Sequence, residues 1–219
     1  MIALTLQEIA DITGGRLDCV PDPAAAVTGF VEFDSRKVTP GGLFLALPGA
    51  RVDGHDFAEK AVESGAVAVL AARPVGVPAI VVEPTGKVEG DGANADIYAN
   101  DEDGSAAAVI QALSALARAV TQRLAAEDGL NIVGVTGSAG KTSTKDLIAT
   151  IFRAAGETVA PPGSFNNEVG LPYTALRCDE HTEYLVAEMS ARGIGHIRHL
   201  TGITAPKVGV VLNLSLIHI

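Results

Sequence analysis

Tryptophan is absent, and aromatic residues make up only 4% of the 219 residues. The core must therefore be aliphatic, assembled from Ala, Val, Leu and Ile. Cysteine is scarce as well. Cys19 and Cys178 are the only two, too few for a disulfide framework, and the simple reading is a reduced, cytosolic chain. No apolar run approaches the ~18–20 residues of a membrane span. The N-terminal stretch MIALTLQEIADITGG carries acids and lacks the basic segment of a secretory signal. Basic residues are outnumbered, with 16 Lys and Arg against 26 Asp and Glu and a net charge of −10. That balance argues against coating nucleic acid or an anionic membrane, but leaves room for a local basic pocket that takes a phosphorylated small molecule. The 24 glycines follow no collagen-like period.

What is present reads as α/β. A hydrophobic content of 47% supports a packed core, and the length predicts one large domain or two small ones. Thr5 and Glu8 are spaced as a capping box, Leu6, Ile9 and Ala10 give an apolar face, and Gly14-Gly15 ends the helix. Val27–Phe33 reads as a strand, Leu43–Leu47 as a strand buried on both faces, Phe57–Ser64 as a helix, and Ala66–Leu70 and Ala79–Val82 as further strands. Residues 84–104 differ in kind. They hold six acids and four glycines against the single base Lys87, as expected of a solvated linker or insertion. Their spacing does not match a calcium loop. From Ser105 a long helix is predicted, with Val109, Ile110, Leu113, Leu116, Ala117, Val120 and Leu124 on one face and Gly129 as its stop. A second α/β pattern follows: strand Asn131–Val135, helix Lys141–Ala155, and strands Glu183–Glu188 and Lys207–Asn213.

The strongest chemical signal is Thr136-Gly137-Ser138-Ala139-Gly140-Lys141-Thr142-Ser143, which follows an apolar strand and opens a helix. Gly137 and Gly140 let the backbone bend so that successive N–H groups face an anion, and the helix dipole adds to that field. Lys141 is placed to reach the β- and γ-phosphates of ATP, and the Thr142 hydroxyl to ligate Mg²⁺. The loop departs from the general G-x-x-x-x-G-K-[ST] pattern, with Val135 at the first glycine position. Kinases, GTPases, ATP-driven motors and ligases all use such a loop, and a glycine-rich turn that binds nothing is the bland alternative.

Further segments narrow the choice. The first half contains Asp34-Ser35-Arg36-Lys37, Leu43-Phe44-Leu45-Ala46-Leu47-Pro48-Gly49 and Asp53-Gly54-His55-Asp56-Phe57. The second contains Ser164-Phe165-Asn166-Asn167-Glu168-Val169-Gly170-Leu171-Pro172, Ala187-Glu188-Met189-Ser190-Ala191-Arg192-Gly193 and Gly209-Val210-Val211-Leu212-Asn213. Together they resemble the Mur ligases of peptidoglycan synthesis, from Met1 to about Asn213 apart from the acidic stretch. The phosphate loop is shared across that superfamily. The Asn166-Asn167 segment and the first-half motifs resemble the branch that joins D-alanyl-D-alanine to UDP-N-acetylmuramoyl-tripeptide.

The resemblance implies a small N-terminal α/β domain that binds the UDP end of the substrate (1–83), a linker (84–104) and an incomplete ATP-binding α/β domain (105–213). A third domain is implied beyond the chain. It implies an ADP-forming ligase, cytoplasmic and monomeric when full length, with ATP and Mg²⁺ as cofactors. Lys141 and Glu188 are then catalytic; Glu188, at the carboxyl end of its strand, binds Mg²⁺ with Thr142 or merely caps the strand. Asn166 and Asn167 contact the substrate or form an Asx turn. Arg192 pairs with a phosphate or makes a surface ion pair. Ser35 and Arg36 contact UDP, or Arg36 locks the turn against Asp34. Asp53, Gly54 and His55 form a loop at which His55 touches the nucleotide or caps a helix. The pair His196 and His199 lacks a third metal ligand.

After Asn213 the resemblance ends. His218 does not fall at the position of the family's second Mg²⁺-binding histidine, so it takes no role. Residues 214–219 read as a foreign tail. The expectations that follow are that the chain alone does not ligate, and that a truncated sheet edge makes it prone to aggregate. Two other readings stay open: the ligase that adds the third peptide residue, and a non-catalytic nucleotide- or UDP-sugar-binding module.

Overall fold

A computed structural model of the chain describes residues 1–49, 52–87 and 101–214. They fall into two compact units, Met1–Leu116 and Ala117–Ile219. The boundary lies inside a helix.

In the first unit, β1 (Leu4–Thr5) runs straight into α1 (Leu6–Thr13). The capping box forms as read: Glu8 N–H donates to Thr5 Oγ1 at 3.1 Å, and Thr5 N–H donates to the Glu8 carboxylate at 2.7 Å. Leu6, Ile9 and Ala10 are buried, and Gly14 closes the helix in the left-handed region. The strands β2 (Arg16–Asp18), β4 (Val31–Glu32), β5 (Gly42–Leu45), β6 (Ala66–Ala71) and β7 (Ala79–Val81) make a sheet in the order β2-β7-β6-β5-β4. All its pairs are parallel except β2 with β7. A 3₁₀ turn (Gly54–Phe57) leads into α2 (Ala58–Glu63). Ala58 and Ala61 of α2 share one hydrophobic cluster with Phe44, Val69 and Val81.

The single strand expected over 27–33 is in fact two. Ala26–Val27 (β3) pairs with β1, whereas β4 joins the main sheet. The break has a steric cause. Thr28 N–H and Gly29 N–H both donate to Gly41 O, and a Cβ on Gly29 would sit 2.7 Å from the Gly42 nitrogen. The chain must cross the Gly41-Gly42 turn there, and it cannot keep one pleat while doing so.

Of the acidic stretch, residues 88–100 lie outside the described residues. Its end is not merely solvated. Asp101 is buried, and its two carboxylate oxygens accept from Ala106 N–H and Ala107 N–H at 2.9 Å each. Asp103 Oδ1 accepts from Ser105 N–H at 3.0 Å, and Gly86 N–H donates back to Asp103 O. Two of the acids thus serve the N-terminus of α3 (Ser105–Glu127), where orphan N–H groups and the dipole favour anions. All seven residues of the predicted apolar face of α3 are buried.

The second unit holds β8 (Asn131–Thr136), α4 (Lys141–Arg153), β9 (Thr158–Val159), α5 (Gly170–Ala175), β10 (Tyr184–Glu188), α6 (His196–Thr204) and β11 (Val208–Val211). The four strands form a fully parallel sheet in the order β11-β8-β10-β9. Val133, Val135, Val186 and Ala149 form its core, flanked by Ile148 and Phe152. Register brings Glu188 opposite Val135 and Val211 opposite Thr136. The carboxyl ends of three neighbouring strands thereby meet at one edge, the place where open parallel sheets hold their ligands. Val208 and Val211 on β11 are exposed, as is Leu214. Residues 215–219, the rest of the supposed foreign tail, lie outside the described residues.

Candidate active site

The phosphate loop joins β8 to α4, and its shape follows from the two glycines. Gly137 has φ 146° and Gly140 φ 81°. A Cβ on Gly137 would also lie 2.8 Å from Leu212 Cβ, so a side chain is excluded on both counts. Ser138 N–H donates to Asn213 O at 2.8 Å and Leu212 N–H to Thr136 O at 2.9 Å, which fastens the loop to the end of β11. Lys141 folds back, its Nζ donating to Gly137 O at 2.6 Å. This contact holds the ammonium over the loop, within the concavity that an anion would enter.

A cavity of about 310 Å³ opens there, lined by Ser138, Ala139, Gly140, Lys141, Thr142, Ser143, Ser164, Asn166 and Glu188. Glu188 is buried at the end of β10. Its Oε1 accepts from Asn166 Nδ2 at 2.8 Å, while its Oε2 has no hydrogen-bond partner among the described residues. Thr142 Oγ1 lies 3.3 Å from Ser164 Oγ. A buried carboxylate oxygen left without a partner is costly. Together with two hydroxyls, it is the hard-oxygen donor set that suits Mg²⁺. These residues fit that ion.

The other residues singled out in the sequence fare differently. Thr136 and Gly137 form the approach to the loop without lining the cavity. Asn167 is spent on local structure: its Oδ1 accepts from Gly170 N–H at 2.8 Å and Val169 N–H at 3.3 Å, an Asx-type start to α5. Arg192 does not line the cavity either, and its N–H donates to His196 Nδ1 at 3.2 Å. His196 is no metal ligand. It is buried, and its Nε2–H donates to the buried Glu168 carboxylate. Among the described residues there is no group of His, Cys, Asp and Glu able to hold a metal on its own.

In the first unit a separate cavity of about 540 Å³ is lined by Phe33, Asp34, Ser35, Arg36, Phe44, Leu47, Pro48, Gly54, Phe57 and Lys60, among others. Apolar walls with a few polar groups suit a heteroaromatic ligand bearing phosphate. Ser35, Arg36 and Gly54 line it. The Arg36 guanidinium forks onto Asp34 (2.9 and 2.8 Å) and is otherwise exposed, so its remaining N–H groups face solvent. Hydrogen bonds from the Arg36 side chain and backbone hold the Asp34 carboxyl down at about 2.

Asp53 and His55 are absent from this lining, for a clear reason. His55 is buried; its Nδ1–H donates to Asp53 Oδ1 at 2.6 Å, and its Nε2 accepts from Ala72 N–H at 3.0 Å. Both ring nitrogens are used, so His55 ties the Asp53 loop to the end of β6 and has none left for a nucleotide. Asp53 accepts from His55 N–H at 2.9 Å and from Arg73 Nη2 at 3.0 Å. Burial pushes its carboxyl up, but the bonds from His55 and Arg73 outweigh that and bring it to about 2.

Sequence reasoning missed Lys145 and the Glu168–His196 pair. Lys145 is fully buried and donates to Pro161 O at 2.7 Å and Gly163 O at 3.3 Å. A signal was available. Lys145, Ile148, Ala149 and Phe152 stand at i, i+3, i+4 and i+7, so a lysine occupies the inward stripe, whereas Leu147 and Ile151 face out.

Two family profiles match the chain: one described as Mur ligase family, catalytic domain, over residues 28–127, and one as Mur ligase middle domain, over residues 135–219. The chain belongs to the Mur ligase family. A UDP-N-acetylmuramoyl-tripeptide–D-alanyl-D-alanine ligase of Mycobacterium leprae is 58% identical over 222 aligned residues, covering 100% of this chain and 43% of that protein. A MurF crystal structure from Acinetobacter baumannii superposes with a TM-score of 0.76 at 27% identity, over 97% of this chain and 41% of the other. The MurF ligase of Thermotoga maritima, solved in complex with ADP, gives a TM-score of 0.63 at 33% identity, over 85% and 38% of the two chains. This Mur ligase chain therefore spans less than half the length of the relatives it matches.

Proposed function

We propose that this chain is the substrate- and nucleotide-binding part of an ADP-forming ligase that joins D-alanyl-D-alanine to UDP-N-acetylmuramoyl-tripeptide. One observation carries the reading. The polar cavity sets a phosphate loop opposite a buried carboxylate with one unpartnered oxygen, in a chain that matches such ligases along its whole length.

The chemistry is amide formation driven by ATP. The terminal carboxylate of the tripeptide attacks the γ-phosphorus, its bond to the β–γ bridging oxygen breaks, and ADP leaves. The amine of D-alanyl-D-alanine then attacks the acyl carbon of the acyl phosphate, loses a proton, and expels inorganic phosphate. Several anions meet in this sequence, so stabilisation by fixed cations and N–H dipoles dominates. The N–H groups at the start of α4 receive the phosphates. Lys141 exchanges Gly137 O for phosphate oxygens. Thr142 and Glu188 would hold Mg²⁺, which would supply positive charge to offset that of the phosphates. Asn166 orients Glu188 through its hydrogen bond. Residues 1–83 hold the UDP end, with Ser35 and Arg36 facing the pyrophosphate, 84–104 connect, and 105–213 carry the ATP site. The nucleotide substrates make the reaction cytoplasmic.

The decisive assay is ADP release by the intact gene product. It should require both UDP-N-acetylmuramoyl-tripeptide and D-alanyl-D-alanine, and Lys141→Ala should abolish it. Release driven by the UDP-dipeptide and a free amino acid would instead assign the sibling ligase that adds the third residue. Saturable nucleotide binding without turnover under either condition would point to a binding module.

A further inference from the structure

The segment from Pro161 to Asn166 brings Ser164 and Asn166 to the metal side of the cavity, yet neither a helix nor a strand fixes it. Its support comes from below. Lys145, one turn past Lys141 on α4, is fully buried, and its ammonium donates to Pro161 O and Gly163 O. Asp146 Oδ1 lies 2.6 Å from the same nitrogen, which balances the charge from the exposed side of the helix. Directly after the clamped carbonyls, Ser164 Oγ comes within 3.3 Å of Thr142 Oγ1, and Asn166 Nδ2 donates to Glu188 Oε1 at 2.8 Å.

A lysine is an expensive choice for a position with no solvent exposure. A methionine or leucine would satisfy the apolar stripe shared with Ile148, Ala149 and Phe152 without any desolvation cost. What the ammonium adds is a set of directed donors for carbonyls that have no strand partner. From this geometry we infer that Lys145 is a positioning residue. By holding the carbonyls of 161 and 163, it sets Ser164 and Asn166 against Thr142 and Glu188, and so tunes the metal side of the nucleotide site without touching nucleotide or metal.

The inference rests on the nucleotide reading proposed above, and its signature is selective. Lys145 supports the groups around Thr142 and Glu188, whereas the N–H groups at 138–141 lie in the loop between β8 and α4 and at the first residue of α4, a loop that the Ser138–Asn213 hydrogen bond fastens. In Lys145→Met, the affinity for ADP with Mg²⁺ should fall about tenfold, as removal of outer-shell partners does at metal sites. The affinity for ADP with EDTA should stay within twofold of the parent's. A residue that acts only on overall stability would move both alike.

Isothermal titration of parent, Lys145→Met and Lys145→Arg with ADP, with Mg²⁺ or EDTA, tests this. Hydrogen exchange resolved to residues 161–167 and 137–143 runs in parallel. The inference stands if the Mg²⁺-dependent gain collapses in Lys145→Met, exchange quickens at 161–167 alone, and Lys145→Arg restores part of the gain. It is overturned if both affinities fall together, if neither changes, or if neither variant folds, since the last outcome makes Lys145 a core residue. If the parent itself binds no ADP under either condition, the nucleotide reading fails and this inference falls with it.

Discussion

Replacing Glu188 with Gln should move stability and metal binding in opposite directions. Glu188 is 1% exposed, and one of its carboxylate oxygens has no hydrogen-bond partner among the described residues. An orphaned charged group of this kind costs about 1–3 kcal/mol or more. Glutamine keeps the length, and its oxygen can still accept from Asn166. Its amide replaces the orphan oxygen with a neutral donor, whose burial is also unfavourable but less so. The net gain should be about 1 kcal/mol, which for a chain of 150–250 residues raises Tm by about 2–4 °C. With nucleotide and Mg²⁺ the sign reverses. A unit charge 4 Å from another is worth about 4 kcal/mol at an effective dielectric of 20, and the amide oxygen recovers only part of it. Mg²⁺ should then improve ADP affinity at least about tenfold less than in the parent, or ~1.4 kcal/mol. Differential scanning fluorimetry, with and without ADP and Mg²⁺, reads both effects in one plate. A variant that melts several degrees lower and keeps the full Mg²⁺ effect would refute the reasoning. Glu188 would then be a strand-end carboxylate whose charge the fold needs.

Other expectations concern the first unit and the thiols. The Asp53 carboxyl is held at about 2 in the fold, below its ordinary 3.8. Its stabilisation is therefore complete above about pH 4 and is lost as pH falls toward 2. Urea midpoints measured between pH 5 and 2 should drop less steeply in Asp53→Asn, and parallel slopes for the two proteins would contradict the assignment. Asp101→Ala removes both acceptors at the start of α3 and should cost about 1–2 kcal/mol; an unchanged urea midpoint would show that water replaces the cap freely. Burial pushes the Cys178 thiol up to about 12, while Cys19 is exposed. A thiol reagent at pH 8 should therefore titrate one cysteine in the native chain and two in guanidinium. Two fast native thiols would mean that the unit around Cys178 opens readily.

Local signals carried a good part of the structure. The capping box at Thr5, the long stripe of α3 and the strand–loop–helix around Gly137 depend on residues near each other in sequence, so spacing alone exposes them. The broken strand at 27–33 did not show, because the cause is the Gly41-Gly42 turn pressing on Gly29, a contact made only on folding. Strand β9 and helix α5 are too short for periodicity to register, and the turn that leads into α5 rests on Asn167 Oδ1 accepting from Gly170 N–H.

At the site the same division holds. Residue types and spacing fixed the phosphate loop, because its chemistry lies in eight consecutive residues that bend around one anion. They also marked Glu188 and Asn166 through resemblance, but gave no means of separating Asn166 from Asn167. Tertiary structure decided that Asn166 turns toward Glu188 while Asn167 holds the turn leading into α5, and that both nitrogens of His55 are used within the fold. It alone revealed Lys145 as a clamp. A side chain's role is set by which groups remain unpaired around it, and that is known only after the strands have brought distant backbone and side chains together.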